Sequence, residues 1–262
     1  MRTSSNRTHP SLFTRLFSVW YRHVRVYVRN IISNGLPPFL EPLIFLAGIG
    51  LGLGSYIASM EGVSFIKYLA SGLLVTASMF TAAFECSFGT FIRLEFDKVY
   101  DGMLGAPITV NNLLIGEILW AGTKGLFFSF AVLLVVSAFG ILPLFKSLAT
   151  PLIGFFTGTM FAGLSLFVTS FVKNINHFNF YFTGFISPLF FFSGVVFPIE
   201  KLPGWLQPFA EALPLTHSVR LVRALSFNTW EKANIFDALY LVVFSIVMGA
   251  LAVLRLKKRL ID

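Results

Sequence analysis

The segment FIRLEFDKVYDGMLGAPITVNNLLIG (residues 91–116) decides how the chain is organised, because it is a charged stretch between two long apolar runs. At helical spacing it carries an apolar stripe beside a charged one. The apolar stripe is Ile92, Phe96, Val99 and Met103, and the charged stripe is Arg93, Asp97 and Asp101. This pattern predicts that the preceding span continues as an amphipathic helix and stops near Leu104, before Gly105-Ala106-Pro107. Thr109 is then the predicted N-cap of the next helix. A solvated loop is the alternative, but the length and aromatic content exceed what a simple hairpin requires.

The composition outside this segment is that of an integral membrane protein. Of 262 residues, 56% are hydrophobic, only 12% are charged and 32 are Phe, whereas a soluble domain carries about 25% charged residues. The formal charge of +8 comes from basic residues gathered at the two ends, which favours anionic lipid over nucleic acid. Cys86 is the lone cysteine, so an intrachain disulfide is excluded. The four histidines show no ligand spacing, and no metal site is predicted.

Residues 1–35 form a basic arm. Arg15, Arg22, Arg25 and Arg29 fall on one arc of a helix, with apolar and aromatic residues on the rest. Such a helix lies in the membrane interface as an anchor; the alternative is that it also touches a cytoplasmic partner or gates the path. Six arginines and no acid before residue 36 place this end in the cytoplasm.

Residues 36–262 form a single transmembrane domain with six segments long enough to span a bilayer. They are residues 36–56, 67–91, 113–140, 150–172, 178–198 and 236–254. The basic C-terminus is expected inside, which requires an even number of spans. In the first span, the pairs Gly48–Gly52 and Gly50–Gly54 predict close helix packing, with a dimer contact as a refinement.

Two ionisable residues lie inside the apolar runs. Glu85 is about two turns from the inner end of the second span, and Lys124 is about three turns into the third. Because an unpaired intramembrane charge is expensive, one hypothesis is a Glu85–Lys124 ion pair. The other is that each residue lines a hydrated cavity separately.

Residues 199–235 are punctuated by prolines and contain two short helical pieces, near residues 205–213 and 216–225. They are too short to span and too apolar for an open loop, so re-entrant outer helices are predicted. Trp205, Arg220 and Arg223 are the candidate residues here, either as interface anchors or as contacts for an anionic head group or substrate. The Phe-rich fifth segment is read as lipid-facing bulk, or alternatively as a surface for sugar rings or acyl chains.

Two blocks resemble a known family. AAFECSFGTFIRLEFDKVYDGMLGAPITVNNLLIGEILWAGTKG (residues 82–125) and PLFFFSGVVFPIEKLPGWLQPFAEALPLTHSVRLVRAL (residues 188–225) look like the hallmarks of ABC-2-type permeases, in particular the NodJ-type permeases that export lipo-chitooligosaccharide nodulation factors. The resemblance implies an all-α membrane fold of the type V exporter kind. It also implies a homodimer that binds two copies of a separate, NodI-like ATP-binding cassette subunit in the bacterial inner membrane, with both termini cytoplasmic.

In that family the loop after the second span, here residues 92–112, holds the helix that couples to the ATPase. The coupling residues implied in this chain are Arg93, Glu95, Asp97, Lys98, Tyr100, Asp101 and Pro107. ATP and Mg would be bound by the partner subunit, and no cofactor by this chain. The implied cargo is a lipid-linked saccharide, a lipooligosaccharide or another amphiphile, with drug or toxin efflux as the alternative.

Other classes of function fit the sequence less well. The chain has no G-x-x-x-x-G-K-[ST] phosphate loop, so energy for transport would come from another polypeptide. An ion-coupled carrier would need an internal repeat or several buried carboxylates near the midplane. A membrane-embedded enzyme would need paired carboxylates or a His–acid set at one depth, and no catalytic residue is predicted.

Overall fold

The computed structural model describes residues 10–57 and 59–261, and nearly all of its regular structure is helical. In chain order the elements are α1 (Leu12–Arg29), α2 (Ile31–Gly54), β1 (Ser59–Met60), β2 (Val63–Ser64), α3 (Phe65–Phe96), α4 (Val99–Leu104), α5 (Val110–Ala138), α6 (Leu144–Ser147), α7 (Thr150–Thr169), α8 (residues 177–192), α9 (Gln207–Ala212), α10 (Pro214–Phe227) and α11 (Ala233–Ile261). The strands β1 and β2 form a small antiparallel hairpin between α2 and α3, which the sequence did not predict.

Five stretches are long and apolar enough to cross a membrane: α2, α3, α5, α6 with α7, and α11. They agree with five of the six spans predicted from the sequence. The predicted span at residues 178–198 is instead the shorter helix α8, which ends at Phe192 because Gly194 takes a positive φ of 77°. The hydroxyl of Tyr68, near the start of α3, donates a hydrogen bond of 3.0 Å to the Gly194 carbonyl. The sixth crossing remains a prediction.

Contacts between residues far apart in the sequence show which helix termini lie at the same end of the bundle. At one end Arg259, near the end of α11, donates to Glu95 Oε1 at 2.7 Å and to the Thr169 carbonyl at 2.6 Å. Glu95 and Thr169 close α3 and α7, so three helices finish together. We call this the α1 end, because α1 packs on the first half of α5, where the Trp20 indole donates to Thr123 Oγ1 at 3.0 Å. The other end, which we call the far end, carries the β-hairpin and residues 193–232.

Glycines set the closest helix contacts in the core. A Cβ added to Gly158 on α7 would lie 2.9 Å from the Ala121 carbonyl and 3.0 Å from the Gly122 Cα of α5. Only glycine allows the two backbones to approach this closely. In α2, a Cβ on Gly50 would lie 3.3 Å from Ile66 of α3, as expected for close packing. A Cβ on Gly48 would meet no atom of the described residues within 4 Å, so this side of α2 is open.

At the far end, α9 and α10 correspond to the two short helical pieces predicted from the sequence. Trp205 is 80% exposed. Arg220 forms ion pairs with Glu211 and, at 3.7 Å, with Asp237. Arg223 donates to the Gly194 carbonyl at 2.8 Å and lies 3.5 Å from the centre of the Tyr68 ring. Both arginines therefore have partners within the chain, and their contact with lipid or substrate, like the re-entrant placement of these helices, remains a prediction.

Candidate functional site

The predicted pair of intramembrane charges is present. Lys124 Nζ lies 2.8 Å from Glu85 Oε2, and the two side chains are 10% and 13% exposed. Of the two hypotheses drawn from the sequence, the structure therefore shows the ion pair. The ammonium group also lies 4.9 Å from the centre of the Tyr27 ring of α1, within the range of a cation–π contact.

Arg93 bridges two carboxylates on different helices. Its Nη1 lies 2.7 Å from Glu85 Oε1 on α3, and its Nη2 lies 2.7 Å from Glu117 Oε2 on α5. Glu85 and Arg93 are eight residues apart, about 12 Å along an α-helix. They meet because helical side chains tilt toward the N-terminus and the arginine side chain is long. Both residues lie in π-helical turns, which are frequent at functional sites.

Glu117 is fully buried, and two further groups surround its second oxygen. The Tyr100 hydroxyl of α4 donates to Glu117 Oε1 at 2.8 Å. His23 Nε2 of α1 lies 2.9 Å from the same oxygen, but at an angle that makes no hydrogen bond. Glu117 is thus the point at which α1, α3, α4 and α5 meet.

We call these six residues the buried charge cluster: His23, Glu85, Arg93, Tyr100, Glu117 and Lys124. Two carboxylates face one guanidinium and one ammonium group, so the cluster is neutral when the imidazole is uncharged. His23, Glu85 and Glu117 are of metal-ligating types, and they offer atoms within 4.8 Å of one another. Because Arg93 and Lys124 already lie at hydrogen-bond distance from the carboxylates, a divalent cation would have to displace both. The arrangement fits ion pairing.

Tyr100 is a hydrogen-bond donor at any physiological pH. Burial, and secondly the Glu117 carboxylate, raise the pKa of its phenol well above the usual range. The hydroxyl therefore stays protonated, and the α4 helix remains attached to α5 through a charge-assisted hydrogen bond.

The predicted amphipathic helix after the second span is interrupted at Lys98, while the coupling role of the residues in this loop remains a prediction. Lys98 takes a left-handed conformation (φ 50°) between α3 and α4, so the stripes at residues 92–103 do not continue across the break. Arg93 points from α3 into the buried charge cluster, and the break turns Tyr100 of α4 toward the same cluster. Asp97 and Asp101 are exposed, and neither forms an ion pair within the part of the chain that the structure describes.

The other candidates in this loop have varied surroundings. Lys98 and Pro107 are exposed. Glu95 is partly exposed and binds Arg259 at 2.7 Å, with Lys98 Nζ at 3.8 Å. The predicted stop at Leu104 is confirmed. The predicted N-cap is confirmed too, since Thr109 Oγ1 accepts from the Asn112 backbone at 3.3 Å in a capping box.

Sequence reasoning missed Glu117 and His23. Glu117 is an acid within the apolar run of the third span, seven residues before Lys124 and thus on the same helical face. Glu117 therefore carries the same sequence signal as Glu85 and Lys124, an ionisable residue within an apolar run. His23 carried no such signal, because its role depends on how α1 docks against α5.

Comparison with known proteins places this geometry in a family. The sequence profile described as ABC-2 type transporter matches residues 14–227, which includes the whole buried charge cluster. The chain belongs to the ABC-2 transporter family. A protein of Sinorhizobium fredii named Nodulation protein J is 31% identical over 246 residues, 94% of each chain. A protein of the same name from Rhizobium leguminosarum bv. trifolii is 35% identical over 209 residues, 79% of each chain.

A more distant relative is the Inner membrane transport permease YadH of Escherichia coli, which is 22% identical over 240 residues, 90% of this chain and 93% of that protein. Family membership and the five long apolar helices identify this ABC-2 protein as a multi-pass membrane protein of the transport permease class.

Proposed function

We propose that the chain is the membrane subunit of an ATP-driven exporter, which receives its driving force from a separate ATP-binding subunit at the α1 end. The family and the permease names of relatives support a transport role. The wider proposal comprises a homodimer in the bacterial inner membrane, both termini in the cytoplasm, ATP and Mg bound by the partner, and an amphiphilic cargo such as a lipid-linked saccharide.

The observation that carries the proposal is the attachment of α4 to the membrane helices through buried charges. Tyr100 of α4 holds Glu117 of α5, and Glu117 holds Arg93 of α3. A partner that displaces α4 therefore acts on α3 and α5 together. In a low-dielectric interior these bonds resist stretching more than surface contacts do, so α4 transmits force rather than yielding.

The partner would contact the exposed face of the same loop. Asp97 and Lys98 precede α4, Asp101 lies within it and Pro107 follows it, and all four are exposed. This surface is a few residues from the buried charge cluster, so docking and transmission are adjacent. The open Gly48 side of α2 is a suitable place for the second copy of the chain.

The test is co-purification with a candidate ATP-binding cassette subunit from the same organism, followed by ATP hydrolysis in proteoliposomes. We expect Asp97→Ala with Asp101→Ala to weaken assembly and lower coupled hydrolysis severalfold while leaving the melting temperature unchanged, since both carboxylates are exposed. Glu231→Ala, an exposed acid at the far end, is the matched control and should behave as wild type. Full assembly and hydrolysis in the aspartate variant would reject the docking surface, and failure of every variant to bind any ATPase would reject the proposal.

A further inference from the structure

The ends of α7 and α11 carry exposed basic side chains that form no ion pair within the part of the chain that the structure describes. They are Lys173, which follows α7, and Arg255, Lys257 and Lys258 near the end of α11. Arg259 differs from them, because Glu95 and the carbonyls of Thr169 and Val172 already bind its guanidinium. Uncompensated positive charges on one surface attract an anionic partner.

Close packing of α7 on α11 brings these groups together. A Cβ added to Gly163 of α7 would lie 2.8 Å from the backbone nitrogen of Gly249 in α11, so the two backbones touch midway along α11. Nearer the α1 end, the Arg255 guanidinium lies 4.6 Å from the centre of the Phe171 ring, within the range of a cation–π contact. Arg255 is therefore placed against the end of α7, where Lys173 follows Phe171 by two residues. We call the surface between these two helix ends the α7–α11 groove.

Apolar side chains are exposed directly before these charges. Leu251 and Leu254 of α11 are 40% and 62% exposed, and Phe171 is 52% exposed. Arg255 lies one helical turn after Leu251, and Lys258 lies one turn after Leu254, so each charge follows an apolar residue on the same side of α11. Toward the far end, this exposed side of the helix stays apolar. The order along the groove is thus hydrocarbon and then positive charge.

An anionic phospholipid matches both parts of this surface. Its phosphate accepts charge-assisted hydrogen bonds from guanidinium and ammonium groups, and its acyl chains cover the leucines that a free anion would leave exposed. The acids of the α1 end do not neutralise the groove, because Glu95 is bound to Arg259. Asp97 and Asp101 form no ion pair with any of its basic residues. Each Lys or Arg at an anionic membrane surface strengthens the attraction about fivefold.

We propose that the α7–α11 groove binds one anionic phospholipid, such as phosphatidylglycerol. Arg255, Lys258 and Lys173 bind its phosphate, and its acyl chains lie along Leu251, Leu254 and Phe171. The lipid bridges α7 and α11 beside the contacts of Arg259. The inference depends on the protein lying in a membrane, and it depends neither on the export role nor on an ATP-binding subunit.

The probe is a phosphatidylglycerol that carries a diazirine in its acyl chain, added to phosphatidylcholine nanodiscs that contain the purified protein. After irradiation, the labelled peptides are identified by mass spectrometry. We expect saturable labelling around Leu251 and Phe171. Unlabelled phosphatidylglycerol should compete about tenfold better than phosphatidylcholine, as expected for two or more basic contacts. Equal competition by the two lipids, or labelling spread evenly along α11, would overturn the proposal.

Lys257 and Lys258 provide a matched pair of variants on one helical turn. Measured around α11 from Arg255, Lys258 is about 60° away and Lys257 about 160° away, so only Lys258 lies on the α7 side. Lys258→Gln should weaken competition by phosphatidylglycerol about fivefold, and Arg255→Gln with Lys258→Gln about 25-fold. Lys257→Gln makes the same change of charge and should leave the competition nearly as in wild type. Equal losses for Lys257→Gln and Lys258→Gln would indicate general attraction to the membrane surface and would refute the site.

These side chains are exposed, so the melting temperature in phosphatidylcholine should be the same for every variant. Lys67→Gln, which changes an exposed lysine near the start of α3 at the far end, is a second control and should compete as wild type does. A loss in Lys67→Gln equal to that in Lys258→Gln would likewise reject the α7–α11 groove.

Two other occupants are distinguished by further measurements. Glycerol 1-phosphate has a phosphate but no acyl chains, and we expect it not to compete at concentrations at which phosphatidylglycerol does; equal competition would indicate a simple anion site. An acidic protein is the other occupant. If phosphatidylglycerol never labels the groove and Arg255→Gln with Lys258→Gln abolishes co-purification with an ATP-binding subunit, the surface belongs to that subunit and the lipid proposal is wrong. Specific labelling of a protein that binds no ATP-binding subunit would support the lipid site and count only against the proposed function.

Discussion

Replacing Arg93 should destabilise the protein strongly, and replacing a partner carboxylate as well should recover much of the lost stability. Arg93 makes two charge-assisted bonds of 2.7 Å with a side chain that is 15% exposed. In Arg93→Met, Glu117 keeps only Tyr100 and His23 as neighbours and the cluster gains a net negative charge. Breaking a buried pair in this way costs about 3–5 kcal/mol, which is about two to three and a half orders of magnitude in the unfolding equilibrium.

The double variant Arg93→Met with Glu117→Gln removes one charge of each sign and leaves the Glu85–Lys124 pair intact. We expect it to be more stable than Arg93→Met alone by about 2 kcal/mol, which a double-mutant cycle measures as a coupling energy. The glutamine can still accept from Tyr100, so the shape of the site is kept.

The assay is unfolding by SDS in mixed micelles, followed by far-UV circular dichroism. Glu95→Gln is the control, since Glu95 and Arg259 form an ion pair with side chains 35% and 21% exposed, and such pairs contribute about 0–1 kcal/mol. If Arg93→Met costs no more than Glu95→Gln, or if the two changes in the double variant simply add, Arg93 does not hold the cluster together.

Two further outcomes are expected. The double reversal Glu85→Lys with Lys124→Glu should express as poorly as either single reversal, because the new lysine would lie where Glu85 now contacts Arg93 at 2.7 Å. The neutral double variant Glu85→Gln with Lys124→Met should express better. Expression of the reversed pair at the wild-type level, measured by size-exclusion chromatography, would contradict the bridging role of Arg93. Gly158→Ala should lower stability by about 1–3 kcal/mol, because its Cβ would lie within 3.0 Å of the α5 backbone. Gly184→Ala, which meets no described atom within 4 Å, is the control in the same thermal unfolding assay, and equal losses would show that the α5–α7 contact can relax.

Much of the fold followed from the sequence because hydropathy and glycine or proline punctuation are local signals. Five long apolar helices, the stop at Leu104 and the Thr109 cap are all readable within a few residues. The end of α8 was misplaced by several residues, since Ser193 and Gly194 lie in an apolar run and only the backbone conformation shows that the helix stops there.

The candidate site was predictable only in part, for a physical reason. Charges in an apolar run are conspicuous, so Glu85 and Lys124 were found. The direction of Tyr100 was not, because it depends on the left-handed turn at Lys98, which no helical wheel contains. His23 and Tyr27 depend on the docking of α1 against α5, a contact between residues about a hundred positions apart.

The Arg259 contacts have a consequence for how the protein is made. Glu95 is synthesised more than 160 residues before Arg259, whose guanidinium pairs with it. Thr169 and Val172, whose carbonyls accept hydrogen bonds from the same guanidinium, are synthesised about 90 residues before it. The ends of α3 and α7 are therefore fastened only after α11 has been inserted. In a nascent chain that lacks α11, Glu95 and the two carbonyls have no contact with Arg259. These contacts form only when translation has reached the last helix.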